Sequence, residues 1–279
     1  MVSLDNQFSL IQWNILGLES CDQQAFPFVS EQCLQWENRK KLFCSILKEN
    51  QADIFCFEEV DKYDEFKDIF IQISNQFDSI YFQKQSGNPQ GIAVFYNKSK
   101  FNLIKSYKLK FFDEDNGKEM SQFCLVNFFT FNNKRSICVI ATHLKAKERF
   151  EKIRVIQINQ VCKHLSSEEF LNNYRELNCE GLVFCGDFNA EPTYECIRNM
   201  CSYKFIDSFL SNAFEKSEIT TYKIRDKEYA RVIDYIFYYN LELISLNKLM
   251  QKKEIGDKGL PSLSFPSDHL FLKADFKLK

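Results

Sequence analysis

The sequence predicts an α/β protein: a two-sheet β-sandwich core flanked by helices on both outer faces, four layers in the order α/β/β/α. Three observations carry that prediction. Short apolar runs rich in β-branched and aromatic residues outnumber helical periods. Strict alternation of strand and helix is absent, which argues for two packed sheets and against a simple parallel one. The last run alternates cleanly, with Leu270, Leu272, Ala274, Phe276 and Leu278 on one face and Lys273, Asp275 and Lys277 on the other, as in a half-solvated antiparallel strand.

In chain order the expected strands are Phe8–Trp13, Asp53–Phe57, Gly91–Tyr96, Phe123–Phe129, Ile137–Ala141, Leu182–Cys185, Val232–Tyr238 and Leu270–Leu278. One helix is entered near Trp36, an aromatic that reads as packing, and is marked by Leu42, Phe43, Ile46 and Leu47. A second follows Phe66, Ile69, Phe70, Ile73 and Phe77 at helical spacing, and a third runs from about Lys147 to Leu165.

The 279 residues hold 45% hydrophobic side chains, enough for a sizeable core, and exclude a disordered chain. With 8 Gly, 5 Pro, no repeat and no linker-like stretch, a single domain over residues 1–279 is expected. No run reaches the roughly 18 apolar residues of a membrane span, and MVSLDNQFSL lacks the basic and apolar parts of a signal peptide. The expectation is a soluble cytoplasmic protein with no membrane partner. A net charge of −2 argues against gripping long duplexes by bulk electrostatics but permits a local basic groove. Eleven Cys, an odd number without a C-x-x-C pair, read as small buried hydrophobes; Cys56, Cys138 and Cys185 lie inside apolar runs.

The informative residues stand at strand ends: Asn14, Glu58-Glu59, Thr142-His143, Asp187 and Asn189 within Gly-Asp-Phe-Asn, and Asp268-His269 before the last strand. Any one of these has a plain alternative reading as a turn former; Asp187 and Asn189 suit an Asx-turn. Asp234, inside Val-Ile-Asp-Tyr-Ile-Phe, is harder to dismiss, because a buried carboxylate needs a partner. Of the three histidines, His143 and His269 lie at strand ends, whereas His164 falls on the third helix and reads as a surface residue. These types suit metal-assisted phosphoester hydrolysis. Glu59 offers Mg²⁺ a hard oxygen ligand, Asp187 and Asn189 point the same way if their segment is extended, and a charged histidine stabilises phosphate oxygens. A zinc site is disfavoured by the absence of His-x-x-x-His and Cys pairs, and a serine hydrolase by the absence of G-x-S-x-G.

These motifs occur together as QWNIL (12–16), LQWENRK (34–40), ADIFCFEEVD (52–61), GIAVFY (91–96), ATHLKAK (141–147), GDFNAEPT (186–193), VIDYIFY (232–238) and PSDHLFL (266–272). In that order the chain resembles the endonuclease/exonuclease/phosphatase superfamily, and within it the CCR4/nocturnin group. The resemblance implies the two-sheet fold. It implies Glu59 as the main Mg²⁺ ligand, with Mn²⁺ able to substitute, supported by Asn14 and with Asp268 near the metal. It further implies that Asp187 orients the attacking water, that Asn189 positions the phosphate, that His143 binds phosphate oxygens, and that His269 contacts the scissile phosphate while bonded to Asp234. Lys84, Lys145, Lys147 and Arg225 match the group's phosphate-contacting positions, each with the plain alternative of a solvated charge. Arg154 and Gln157 match helix positions that read as structural.

The chain departs from the group's pattern in reading Glu58 where Gln usually precedes the metal Glu, in its short 85–90 segment with Gln90 before Gly91, and in Lys147 where nocturnin carries Arg. The resemblance implies a 3′-to-5′ exoribonuclease of deadenylase type acting on an adenine-bearing RNA 3′ end. The alternatives are an NADP(H) 2′-phosphatase, which the near-neutral charge suits because it needs only a short pocket, and a non-catalytic binding protein that kept the fold.

Overall fold

The computed structural model describes residues 6–85, 87, 89–202 and 219–279. Its core is two sheets face to face. The six-stranded sheet runs in the order β12 (Leu241–Leu246), β13 (Leu272–Leu278), β1 (Gln7–Asn14), β2 (Ile54–Val60), β4 (Gly91–Asn97), β3 (Phe77–Gln83). The five-stranded sheet runs β11 (Asp234–Tyr239), β8 (Cys179–Asp187), β7 (Arg135–His143), β6 (Glu119–Phe131), β5 (Phe101–Phe112). Both are mixed, with β1–β2 and β7–β8 parallel and the other pairs antiparallel. A separate hairpin joins β9 (Thr221–Ile224) to β10 (Glu228–Arg231).

Strand periodicity sorts the apolar residues into layers. On β2, Phe55 and Phe57 point outward onto helix α3 (Tyr63–Ile73), where Phe55 meets Phe70 at 5.0 Å and Phe57 meets Phe66 at 5.5 Å. Trp13 of β1 does the same with Phe43 of α2 (Trp36–Glu49), at 5.0 Å. Truncating one of these rings to Ala costs about 3–5 kcal/mol in a core of this kind. Phe8 and Leu10 face inward against Phe129, Phe131 and Val183 of the other sheet. On the far side Cys138, Ile140, Leu182 and Phe184 pack under α4 (Glu151–Leu165), α5 (Glu168–Glu176) and α6 (Glu195–Ser202). The four expected layers are present. A small third cluster, Leu16, Cys21, Phe26, Val29, Cys33 and Leu34, caps the loop after β1 together with α1 (Glu31–Leu34).

Several elements differ from expectation. The helix marked by Phe66 ends at Ile73, where Ser74 turns extended, and Phe77 opens β3 instead; its helical spacing was a coincidence of an edge strand's apolar residue. Strands β3, β5, β9, β10 and β12 and helices α5 and α6 were not anticipated. Val232 and Ile233 precede β11, and Leu270 precedes β13. His164 is half-buried rather than on the surface, because its Nε2 lies 2.9 Å from the Tyr107 hydroxyl. Ser86 and Asn88 of the short 85–90 segment lie outside the described residues. All eleven cysteines are free, most of them buried. Among the described residues no helix is long and apolar enough to cross a membrane.

Candidate active site

At one end of the sandwich the inward face turns from apolar to polar. Continuing the period of two from Phe8 and Leu10 brings Gln12 and Asn14 inward; Ile54 and Cys56 lead to Glu58; Val139 and Ala141 to His143; Val183 and Cys185 to Asp187; and Ile236 leads back to Asp234. Register aligns them, with Asn14 opposite Glu58, His143 opposite Asp187 and Asp187 opposite Asp234. Gly186 makes the second of these pairings close. Its φ is +147°, and a methyl there would drive into the Thr142 carbonyl.

Two adjacent carboxylates serve different places because the strand breaks between them. The β2–β4 ladder shifts between Phe57 and Val60, and Glu59 takes a φ of 60°. Glu58 therefore stays in the inter-sheet core, fully buried, while Glu59 reaches a cavity of about 480 Å³. That cavity is also lined by His143, Asp187, Asn189, Asp268 and His269.

The groups are tightly cross-linked. Asn14 Nδ2 donates to Glu59 Oε1 at 3.1 Å and Asp187 Oδ2 at 2.9 Å, while its Oδ1 accepts from Leu16 N at 3.0 Å. In this arrangement Asn14 presents its amide, not its oxygen, to the carboxylates. Glu59 Oε2 accepts from Gly17 N at 3.0 Å and Gln90 Nε2 at 3.4 Å. His143 Nε2 lies 3.9 Å from Glu59 and 3.7 Å from Asp187. His269 Nδ1 lies 3.0 Å from Asp234 Oδ2, and its Nε2 lies 3.8 Å from Asp187. Asp187, Asp234 and His269 thus present ligand atoms within 4.8 Å of one another, but the Asp234 contact commits His269 Nδ1 to a hydrogen-bonded pair. Asp187 Oδ1 accepts from Asn189 N at 2.8 Å in an Asx-turn, and Asn189 is left-handed, with a φ of 51°. The segment is not extended as expected; the two side chains share the cavity because the chain turns.

Burial and mutual charge set the protonation pattern. Burial, reinforced by the Asp234 charge, pushes Asp187 up to about 7. For His269 burial acts downward, but the Asp234 and Asp268 carboxylates outweigh it and raise the imidazole to about 10. His143 goes the other way, well below the ordinary histidine range, driven by burial and by the Lys84 and His269 charges. Burial and Asp234 hold Glu58 well above the carboxylate range, as a neutral acid. Glu58 accepts from Gln12 Nε2 at 2.8 Å, and the same amide lies 3.4 Å from Asp234.

Of the four expected cations, Lys147 and Arg225 line the cavity. Lys145 lies over the Phe150 ring at 4.9 Å, and Lys84 Nζ rests on Gln90 Oε1 at 3.3 Å. Lys145 and Lys147 diverge because their loop is not extended; Lys147 has a φ of 75°. Arg154 is buried beneath it and donates to the carbonyls of both lysines at 2.8 Å, a structural role as expected. Sequence reasoning missed Lys223, Lys227 and Arg231 on the β9–β10 hairpin, which also line the cavity. The signal available was spacing: Lys223 stands two before Arg225, the interval at which residues of an extended segment share a side. It also missed Arg39, fully buried, whose guanidinium donates to the carbonyls of Pro266 at 2.7 Å, Ile15 at 2.5 Å and Leu16.

Known proteins share this fold. A model of the Endonuclease/Exonuclease/phosphatase family matches residues 11–269. Nocturnin of Rattus norvegicus is 31% identical over 291 residues, covering 96% of this chain and 65% of that protein. A probable CCR4-Not complex 3′-5′-exoribonuclease subunit Ccr4 of Vairimorpha ceranae is 28% identical, covering 98% and 64%. The chain thus spans just under two thirds of the length of both. Among solved structures, ANGEL2, a 2′,3′-cyclic phosphatase, in complex with adenosine-2′,3′-vanadate superposes with a TM-score of 0.84 at 22% identity, covering 98% of this chain and 96% of that one. The human nocturnin catalytic domain with bound sulfate superposes with a TM-score of 0.76 at 27% identity, covering 98% and 94%.

Proposed function

The chain belongs to the endonuclease/exonuclease/phosphatase family, and from that premise we propose that it is a divalent-metal-dependent phosphoester hydrolase of the nocturnin/CCR4 kind. It works as one catalytic domain, releasing nucleotides from an adenine-bearing RNA 3′ end. The observation that carries this reading is one cavity in which Glu59, Asp187 and His269 meet a cationic rim of Lys147, Lys223 and Arg225. Arg225 Nε is buried there with no hydrogen-bond partner among the described residues, a donor ready for a phosphate oxygen.

The donor set fits Mg²⁺ or Mn²⁺. The Glu59 and Asp187 carboxylates are hard oxygens drawn together by one Asn14 amide, and no sulfur lines the cavity. An ion held by Glu59 supplies Lewis-acid stabilisation of charge on the phosphate oxygens. The protein's own groups do the rest. Asp187, with a carboxyl near neutrality, accepts the proton of the attacking water. His269, kept cationic by Asp234, stabilises the oxygens of the pentavalent state, while neutral His143 and the Asn189 amide hydrogen-bond the same phosphate.

A second reading, removal of the 2′-phosphate of NADP(H), is favoured by the cavity volume of about 480 Å³, which suits one small ligand better than several nucleotides. The test is to incubate pure protein and Mg²⁺ separately with 3′-hydroxyl oligo(A) and NADPH and identify products. AMP from oligo(A) supports the first reading, inorganic phosphate from NADPH the second, and neither product overturns both. Glu59→Ala should abolish turnover while preserving the fold; full activity in that variant, or in excess EDTA, defeats the metal assignment.

A further inference from the structure

Two places in the cavity offer a carboxylate to a cation, and they are not alike. At the first, Glu59 and Asp187 are bridged by an amide and faced by histidine, and neither forms an ion pair with Lys or Arg among the described residues. At the second, Asp268 is buried, and its Oδ2 already holds the Lys223 ammonium at 2.5 Å. Its Oδ1 has no hydrogen-bond partner among the described residues and stands 4.0 Å from His269 Nε2.

The lysine is not a free surface arm. Tyr222 N and Thr221 Oγ1 both donate to the Asp268 carbonyl, each at 2.9 Å, so β9 is sewn to the segment carrying the carboxylate. On its other side Lys223 pairs with Gly259, which has a φ of +76° and would place a methyl 3.2 Å from the Lys223 Cα. The stem is fixed from both sides before the ammonium is placed. Burial acts to raise the Asp268 carboxyl, but the Lys223 and His269 charges outweigh it and hold it below its ordinary value.

We propose that Lys223 is a built-in counter-cation for Asp268, occupying the place a second divalent ion would take, so that the site binds a single ion, at Glu59. The inference rests on the reading above that Glu59 holds an ion. The physical reason is competition. A divalent ion approaching Asp268 must displace an ammonium held by a near-buried carboxylate and then sit beside both that ammonium and the His269 imidazolium. Removing the ammonium reverses the balance, because a buried carboxylate left unpaired gains strongly from any cation that reaches it.

The test counts ions directly: Mn²⁺ titration followed by electron paramagnetic resonance, with no substrate present. Wild type should bind one Mn²⁺ per chain, Lys223→Met two, and Lys223→Arg one. Glu59→Gln should lose the single ion, and the Glu59→Gln/Lys223→Met double variant should regain one, at Asp268. Two ions in wild type, or one in folded Lys223→Met with unchanged affinity, overturns the proposal alone. No ion in wild type overturns the Glu59 reading and the proposal with it. If Lys223→Met does not give a native circular dichroism spectrum, the wild-type count and Lys223→Arg decide.

Discussion

His143 and His269 face one carboxylate from opposite sheets. Their Nε2 atoms lie 3.7 and 3.8 Å from Asp187 Oδ2, and both rings are buried. Their charges nonetheless part in opposite directions, one well below and the other raised to about 10. Burial works downward on both, so it is not what distinguishes them. The difference lies behind the ring: His269 Nδ1 rests on Asp234 at 3.0 Å, whereas His143 Nδ1 has no hydrogen-bond partner among the described residues. A residue's role in such a site is set by what it leans on as much as by what it faces.

Asp234→Asn breaks the comparison most severely. The neutral amide removes the largest charge opposing burial at His269 and leaves only Asp268 and Asp187 against it, so His269 should titrate well below its wild-type position, and turnover should drop by about 10³-fold, or ~4 kcal/mol. Side-chain ¹⁵N NMR reads the first effect and initial rates the second; a His269 that titrates as high in this variant as in wild type refutes the account. In wild type the same spectra should show imidazolium at His269 up to about pH 10. The sign for stability follows. The raised His269 favours the fold fully below the ordinary histidine range, and that contribution is lost as pH rises through about 10. The depressed His143 favours the fold above that range and opposes it as pH falls.

His143→Gln should cost much less, about tenfold in kcat/KM, because it removes a neutral hydrogen bond worth ~0.5–1.5 kcal/mol rather than a charge. A loss as large as that of Asp234→Asn would mean that His143 works as a cation. Glu58→Gln sharpens the comparison from below, since Glu58 shares the Gln12 amide with Asp234 but makes no hydrogen bond to it. Gln is isosteric with the neutral acid, so turnover should stay within about threefold. Stability should separate with pH. Above the ordinary glutamate range the unfolded chain loses a proton that the folded protein keeps, so wild type should lose about 1.4 kcal/mol per pH unit against the variant until Glu58 ionises. Parallel denaturation midpoints from acid to alkaline pH would show Glu58 charged in the fold.

What the sequence made legible follows a physical line. The central strands β1, β2, β4, β6, β7 and β8 are covered on both faces and announce themselves as apolar runs. Strands β3, β5 and β12 lie at sheet edges, where water replaces a neighbour. Phe101–Phe112 alternates Lys with apolar residues and is further blurred by two register shifts. The strand-end residues of the site were visible because the central strands were. What stayed hidden depends on contacts between distant segments: Lys223 against Asp268, 45 residues apart, and Arg39, whose burial no local pattern discloses. Whether Glu58 joins the metal site or faces the core stayed open in the sequence, because it hinges on one left-handed residue that composition does not mark.

Arg39 gives the site a schedule. Its carbonyl partners come from the stretch just after β1 and from Pro266, two residues before Asp268, and β1 itself lies between β2 and β13. A chain made from its N-terminus has Asn14, Glu59, His143, Asp187 and Asp234 in hand long before any of this can close. Until Pro266 to His269 have cleared the ribosome, the guanidinium lacks one of its anchors and Asp234 lacks its imidazole. The pocket therefore stays incomplete until that segment arrives. A protease that clips anywhere between Asp234 and Pro266 and lets the tail leave returns it to that incomplete state with five of its site residues untouched.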